Sequence, residues 1–319
     1  MAQRAQGAAE RGRCVNNERL LIVGTGAMAC LFAGVLADVA EVMLLGTWAA
    51  GVQTMRSAGV RLQTEAGERI LRVGATDDPG TCVGVRQALV LVKAWQTPRA
   101  AAQLKECLAP DGVALSLQNG LGNWEALRDC LGEERVAAGV TRMGATLLAP
   151  GVVRLGGRGP TTLGDHPRLG PLQERLQAAG LEVERVEDLA SVLWGKLAVN
   201  AAINPVAALL RLSNGEIAAR PGARAVMRGA AAEVQAVAEA AGILLPFPDA
   251  AEQAELAARA SADNQSSMLQ DVLRGARTEI DAINGAVVRA AGSVGADAPI
   301  NRTLWHLIAA LAPEESTRW

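Results

Sequence analysis

The stretch that most constrains this 319-residue chain is LLIVGTGAMACLFAGVLAD, residues 20–38. A short apolar run ends in Gly24, and the loop GTGAMA (24–29) opens an apolar helix expected over residues 27–38. This is a G-x-G-x-x-G/A pattern with Ala29 in the third place. Gly24 permits the tight turn, Gly26 lets the backbone approach a pyrophosphate, and the small Ala29 keeps helix and strand close. The first N–H groups of the helix point at whatever anion sits there. Gly24, Thr25, Gly26, Ala27, Met28 and Ala29 are therefore candidate dinucleotide-binding residues. The bland alternative is an ordinary glycine-rich strand-to-helix turn.

More strands follow in the same style. EVMLLG (41–46), ALVLV (88–92) and VALSL (113–117) are apolar runs, each followed by a helical pattern. Short apolar strands separated by helices predict a parallel sheet covered on both faces, an α/β doubly wound fold of Rossmann type. Residues 60–73 alternate around Glu65-Ala66-Gly67 and predict a hairpin inserted in that sheet. A second β-rich stretch runs over 152–163. Beyond Val186 strand signals vanish, and helices are expected over 188–210, 222–242, 249–260 and 263–292. The predicted organisation is a polar tail (1–18), a dinucleotide-binding domain (19–186), an all-helical substrate and catalytic domain (187–312) and a short tail (313–319).

Composition narrows the function. The chain has 31 basic and 33 acidic residues and a net charge of −2, which argues against nucleic acid as a partner. No run of about 18 uncharged apolar residues occurs, so no membrane crossing is expected. The five cysteines form no C-x-x-C, which predicts neither a disulfide framework nor a metal site and favours a reducing, cytoplasmic setting. There is no tyrosine, and histidine occurs only twice. Lysine is also scarce: Lys93, Lys105 and Lys196 stand in a chain that otherwise uses arginine. Lys93 (LVLVKAW) and Lys196 (LWGKLAVN) lie among apolar neighbours, where an amine titrates more readily than a guanidinium.

Two polar stripes stand out in the helical half. In WGKLAVNAAINP (194–205), Lys196, Asn200 and Asn204 fall within roughly 80° of arc on an apolar helix. Such groups are expensive there unless they face polar partners. Pro205 predicts a kink or turn after them. In DNQSSMLQDVLRGARTEIDAING (263–285), Asn264, Ser267, Asp271 and Glu279 lie within roughly 120° on a helical wheel. Alone, that stripe reads as a solvated face.

Taken in order, the glycine loop, KAWQ (93–96), QNGLGN (118–123), KLAVNAAINP (196–205), SNGE (213–216), SSMLQD (266–271) and TEIDAING (278–285) resemble the ketopantoate reductase (2-dehydropantoate 2-reductase) family. The resemblance spans about residues 19–312. It implies reduction of 2-dehydropantoate to (R)-pantoate with NADPH, a step towards pantothenate and coenzyme A. It further implies Lys196 as the catalytic acid and Glu279 as a catalytic residue beside the nicotinamide ribose. Asn119, Asn200, Asn204, Asn214, Asn264, Ser267 and Asp271 are implied in substrate binding. Lys93, Asn119, Ala145, Thr47 and Glu279 are implied in cofactor binding, with no metal. Thr47 occupies the place of the family's usual arginine after the second strand, and Arg56 is the nearest basic side chain, so NAD stays open beside NADP. A homodimer is compatible with the family. Two alternatives stay open: a reductase of another branched 2-oxo acid, and a catalytically silent dinucleotide-binding or sensor protein.

Overall fold

A computed structural model describes residues 19–311; the predicted tails and Cys14 lie outside the described residues. The chain forms two compact units. Among the described residues, one takes 19–92 with 98–117 and 126–186; the other takes 93–97, 118–125 and 187–311. A single cut at 186 therefore misses two short loops that group with the helical unit.

The first unit runs β1 (Leu20–Val23), α1 (Ala27–Leu36), β2 (Val42–Leu45), α2 (Ala49–Ala58), β3 (Val60–Thr64), β4 (Gly67–Leu71), β5 (Gly74–Thr76) and β6 (Val85–Val90). It continues with α3 (Thr97–Cys107), β7 (Leu108–Ser116), α4 (Asn123–Leu131), β8 (Val136–Thr141), β9 (Gly144–Ala149), β10 (Val152–Gly157), β11 (Thr161–Gly164), α5 (Gly170–Ala178) and β12 (Val183–Val186). Eight strands form one sheet in the order β12-β11-β8-β7-β6-β1-β2-β5. All its pairings are parallel except β11 with β8. The order reverses between β1 and β6, which places the glycine loop after β1 at the point where doubly wound sheets open. Leu20–Val23 are all buried, as the uninterrupted apolar run requires.

The hairpin predicted at 60–73 exists, but it is not inserted in the main sheet. β3 and β4 pair around the Glu65-Ala66 turn and join β10 and β9 in a separate four-stranded sheet, order β4-β3-β10-β9. That sheet packs on α1: a Cβ on Gly34 would lie 3.3 Å from a Leu62 methyl. Alternation shows that one face is buried; it does not show which helix buries it.

The second unit is helical: α6 (Leu189–Leu210), α7 (Asn214–Ala219), α8 (Pro221–Ala240), α9 (Ala250–Ala260), α10 (Ser267–Leu273), α11 (Asn284–Ser293) and α12 (Pro299–Ala309). Asp188 caps α6 by accepting from Ser191 N at 3.0 Å. As expected for residues 188–210, α6 runs through Pro205 to Leu210 and stops at Arg211, whose φ of 54° is left-handed. A proline at 205 removes the N–H that would reach the carbonyl of Ala201. Asn284 Nδ2 supplies the replacement, donating to Ala201 O at 3.0 Å. Asn284 also donates to Asn301 Oδ1, and Asn301 in turn donates to Ala230 O and Glu233, so one fully buried amide pair ties α6, α8, α11 and α12. α6 is also long and apolar enough to cross a membrane, because Lys196 is its one charge; 67% of that span is buried inside the protein, as befits the central helix of the unit.

The single helix predicted over 263–292 is two helices. α10 ends at Leu273, Gly275 adopts φ +64°, and residues 276–283 form an irregular loop before α11. Asn264 precedes α10 and Glu279 sits in the loop, so the four polar residues share no helical face.

Candidate active site

The glycine loop shows why each small residue stands where it does. Gly24 has φ +133°, and a Cβ there would lie 3.1 Å from the Leu91 carbonyl and 3.3 Å from the Ala29 methyl. Gly26 is exposed, with open space where its side chain would be, and it begins α1 without a side-chain cap. The first N–H groups of a ten-residue helix therefore open onto room, the environment a pyrophosphate needs. Thr25 is buried against Gly46, where a Cβ would come within 2.6 Å of the Thr25 methyl. Ala27 and Met28 are half-buried, and Thr47 is exposed just beyond Gly46. Arg56 is committed elsewhere: its Nε donates to Ala75 O at 3.0 Å, and a terminal nitrogen lies 3.7 Å from Asp77. Ala145 is half-buried on β9, opposite Leu155 of β10.

In the helical unit, four of the candidate residues meet. Lys93 Nζ donates to Asp271 Oδ2 at 2.5 Å and stands 3.5 Å from Glu279 Oε2. Glu279 Oε1 accepts from Ala94 N at 3.0 Å, and Asn119 Nδ2 lies 3.5 Å from Oε2. Burial works against the charge on Lys93, yet Glu279 and Asp271 outweigh it and hold the amine above its ordinary 10.5. Burial pushes the Asp271 carboxyl up, against the pull of Lys93 and, more weakly, of Arg274.

The 118–125 loop is held to the loop after α10 by its backbone. Leu121 N donates to Ala282 O at 2.9 Å, and Gly120 (φ +80°) lies so close that a Cβ would be 2.3 Å from the same oxygen. Beneath it, Gln118 Nε2 donates to Thr97 Oγ1 at 2.8 Å, Thr97 Oγ1 donates to Asn123 Oδ1 at 2.9 Å, and Asn123 Nδ2 donates to Asn119 O at 2.9 Å. Thr97, Gln118 and Asn123 are buried. Thr97, Gln118, Asn123 and Ala94 are not among the candidate residues that the sequence offers; the polar run QNGLGN directly after a buried strand is the signal that points to them.

Lys196, Asn200 and Asn204 follow one another at single-turn spacing on α6, the first two half-buried and Asn204 buried. Ser266, rather than Ser267, is the buried cap of α10, accepting from Leu269 N at 3.2 Å, and its hydroxyl lies 3.5 Å from Asn204 O. Ser267 and Asn264 are exposed. The SNGE segment is a capping box in which Ser213 N donates to Glu216 Oε2 at 2.9 Å. It fixes Asn214, whose Nδ2 donates to Ser261 Oγ at 2.9 Å and whose backbone N donates to Asn264 O at 3.0 Å. The buried Oδ1 of Asn214 has no donor among the described residues.

Residues 20–168 match the family Ketopantoate reductase PanE/ApbA, and residues 188–312 match Ketopantoate reductase PanE/ApbA C terminal. The chain belongs to the ketopantoate reductase family. It is 34% identical to a 2-dehydropantoate 2-reductase of Halobacterium salinarum over 299 residues, covering 91% of this chain and 97% of that protein. A PanE/ApbA family ketopantoate reductase from Ralstonia eutropha superposes with a TM-score of 0.86 at 35% identity, covering 92% of this chain and 98% of the other. D-mandelate dehydrogenase, solved with NADH and anilino(oxo)acetate, shares the fold with a TM-score of 0.87 at 24% identity, covering 92% and 98%. The family is one of oxidoreductases, and a reductase of this family acts on a small molecule.

Proposed function

We propose that this protein reduces 2-dehydropantoate to (R)-pantoate with NADPH, using Lys196 as the general acid. The observation that carries the reading is the α6 stripe: one half-buried amine followed at successive turns by two amides, on a long and predominantly apolar helix. The reduced nicotinamide, when bound, supplies the hydride to the C2 carbonyl carbon. Lys196 gives a proton to the carbonyl oxygen as negative charge develops there, a role for which a positioned side chain is worth roughly 10²–10⁴ in rate. Asn200 and Asn204 orient the substrate without adding charge. The donorless Asn214 Oδ1 is an acceptor suited to a substrate hydroxyl, and the exposed Asn264 and Ser267 lie at the start of α10. Gly24–Ala29 hold the pyrophosphate, with Thr47, Lys93, Asn119, Ala145 and Glu279 as further cofactor contacts.

A second reading concerns the electron donor. Thr47 carries no charge to meet a 2′-phosphate, and Arg56 is already tied to Ala75 O and Asp77. NADH is therefore the competing donor. A steady-state assay with ketopantoate, run with NADPH and NADH side by side, tests both readings. Turnover with NADPH supports the proposal; turnover with NADH alone replaces the cofactor; no turnover with either removes the substrate. The partner is a small 2-oxo acid, and we place the reaction in the cytoplasm, with a homodimer as the assembly to look for.

A further inference from the structure

The Lys93 cluster is lopsided. Two buried carboxylates, 9% and 6% exposed, flank one amine that keeps 34% of its side-chain surface. An ammonium held between two acids can donate a short charge-assisted bond to each. Here it sits 2.5 Å from Asp271 and 3.5 Å from Glu279. Glu279 is anchored by the other oxygen, since Oε1 accepts the Ala94 N–H at 3.0 Å. Among the described residues Oε2 is approached at 3.5 Å by Lys93 and at 3.5 Å by Asn119, both at the limit of a hydrogen bond. A buried carboxylate oxygen without a close donor is an acceptor kept open.

We propose that Asp271 is a positioning residue: it draws the Lys93 ammonium off Glu279, so that Glu279 Oε2 remains open to accept a hydroxyl of a bound ligand. This assigns Asp271 a task exercised through Lys93, in place of the direct substrate contact that its motif implies. The geometry makes the division of labour specific. Ala94 N and the Lys93 amine come from adjacent residues of one loop, so Glu279 is fixed by the backbone of that loop while its side-chain charge is held aside by Asp271. Without the Asp271 carboxylate, the remaining acid within reach of Lys93 is Glu279, and the amine closes the 3.5 Å gap and occupies Oε2. Arg274, the other cation beside Asp271, already bonds to Gln270 Oε1 at 3.4 Å from its own short helix end.

The inference rests on Glu279 contacting a ligand, as the proposed function holds. A double-mutant cycle on the full-length protein tests it, with NADPH affinity read by fluorescence titration and KM and kcat read with ketopantoate. In the wild-type background, Asp271→Asn should weaken whichever ligand places its hydroxyl on Glu279 by about tenfold: NADPH Kd rises if it is the ribose, ketopantoate KM if it is the substrate. In the Lys93→Met background the same change should cost less than about twofold, because no amine is left to fall onto Glu279. Asp271→Glu, which keeps the charge, should stay within about threefold of wild type. Asp271→Ser, which leaves room for water, gives the ratio a second time should Asp271→Asn fail to fold. An equal loss in both backgrounds means that Asp271 touches the ligand itself and overturns the proposal, as does an Asp271→Asn protein indistinguishable from wild type. A wild-type protein that binds no dinucleotide would instead overturn the functional reading, so the two failures are separable.

Discussion

The glycine loop and the segment 263–285 carry comparable numbers of candidate residues, yet they are built by different physics. In the first, each residue's task shows in a local pattern: a strand must turn into a helix, and the turn takes Gly24 to φ +133°, a conformation that favours a residue without a side chain. In the second, the segment breaks at Gly275, and Asp271 and Glu279 meet because both reach Lys93, 178 and 186 residues away in the chain. Local sterics write themselves into spacing, whereas long-range electrostatics do not.

The sharpest way to break this contrast is at the two glycines of the loop. Gly24→Ala should cost about 1–3 kcal/mol of stability, because its φ is closed to residues with a Cβ. Gly26→Ala meets nothing within 4 Å, so it should melt like wild type while raising the dinucleotide Kd about tenfold, about 1.4 kcal/mol. Thermal denaturation and a binding titration on the pair measure both; a destabilised Gly26→Ala would show that the open space is filled by the protein's own packing.

On the helical side, Asn284→Leu should cost about 1–3 kcal/mol by denaturant unfolding, since it leaves Ala201 O and Asn301 Oδ1 without their donor. Pro205→Ala in that background should recover part of the loss, because residue 205 regains the N–H that reaches Ala201 O. Additive effects would mean that Asn284 does not stand in for the missing backbone donor.

The smallest expected effect is a pH dependence. The folded state holds the Lys93 amine above its ordinary 10.5, so its stabilising contribution is fully present below that value and fades as pH rises through the higher folded value. The melting difference between wild type and Lys93→Met should accordingly be constant from pH 7 to pH 10 and shrink only above it. A difference that fades near neutrality would show that the carboxylates do not govern this amine.

The same contrast explains what the sequence disclosed. The Rossmann-type order, the switch to helices after Val186 and the glycine loop are local signals of period and turn chemistry, and all are visible in the residues. The helix over 188–210 is legible, but the group that compensates Pro205 is not, because that amide lies 79 positions further on, between Pro205 and Asn284. The hairpin was legible as a hairpin, but its membership of a second sheet depends on β10, about 90 residues downstream. Asn264, Ser267, Asp271 and Glu279 share a face only on a continuous helix, which Gly275 interrupts. The positioning roles of Thr97, Gln118 and Asn123 are not legible in the sequence, because buried polar side chains declare themselves only through their partners.

The central claim is that Lys196 supplies the proton for carbonyl reduction. It is tested most directly by single-turnover and steady-state kinetics of Lys196→Ala with ketopantoate, alongside a dinucleotide titration of the same protein. The account predicts a fall in kcat on the order of 10³-fold with dinucleotide affinity within about twofold of wild type. Wild-type kcat in Lys196→Ala would contradict it.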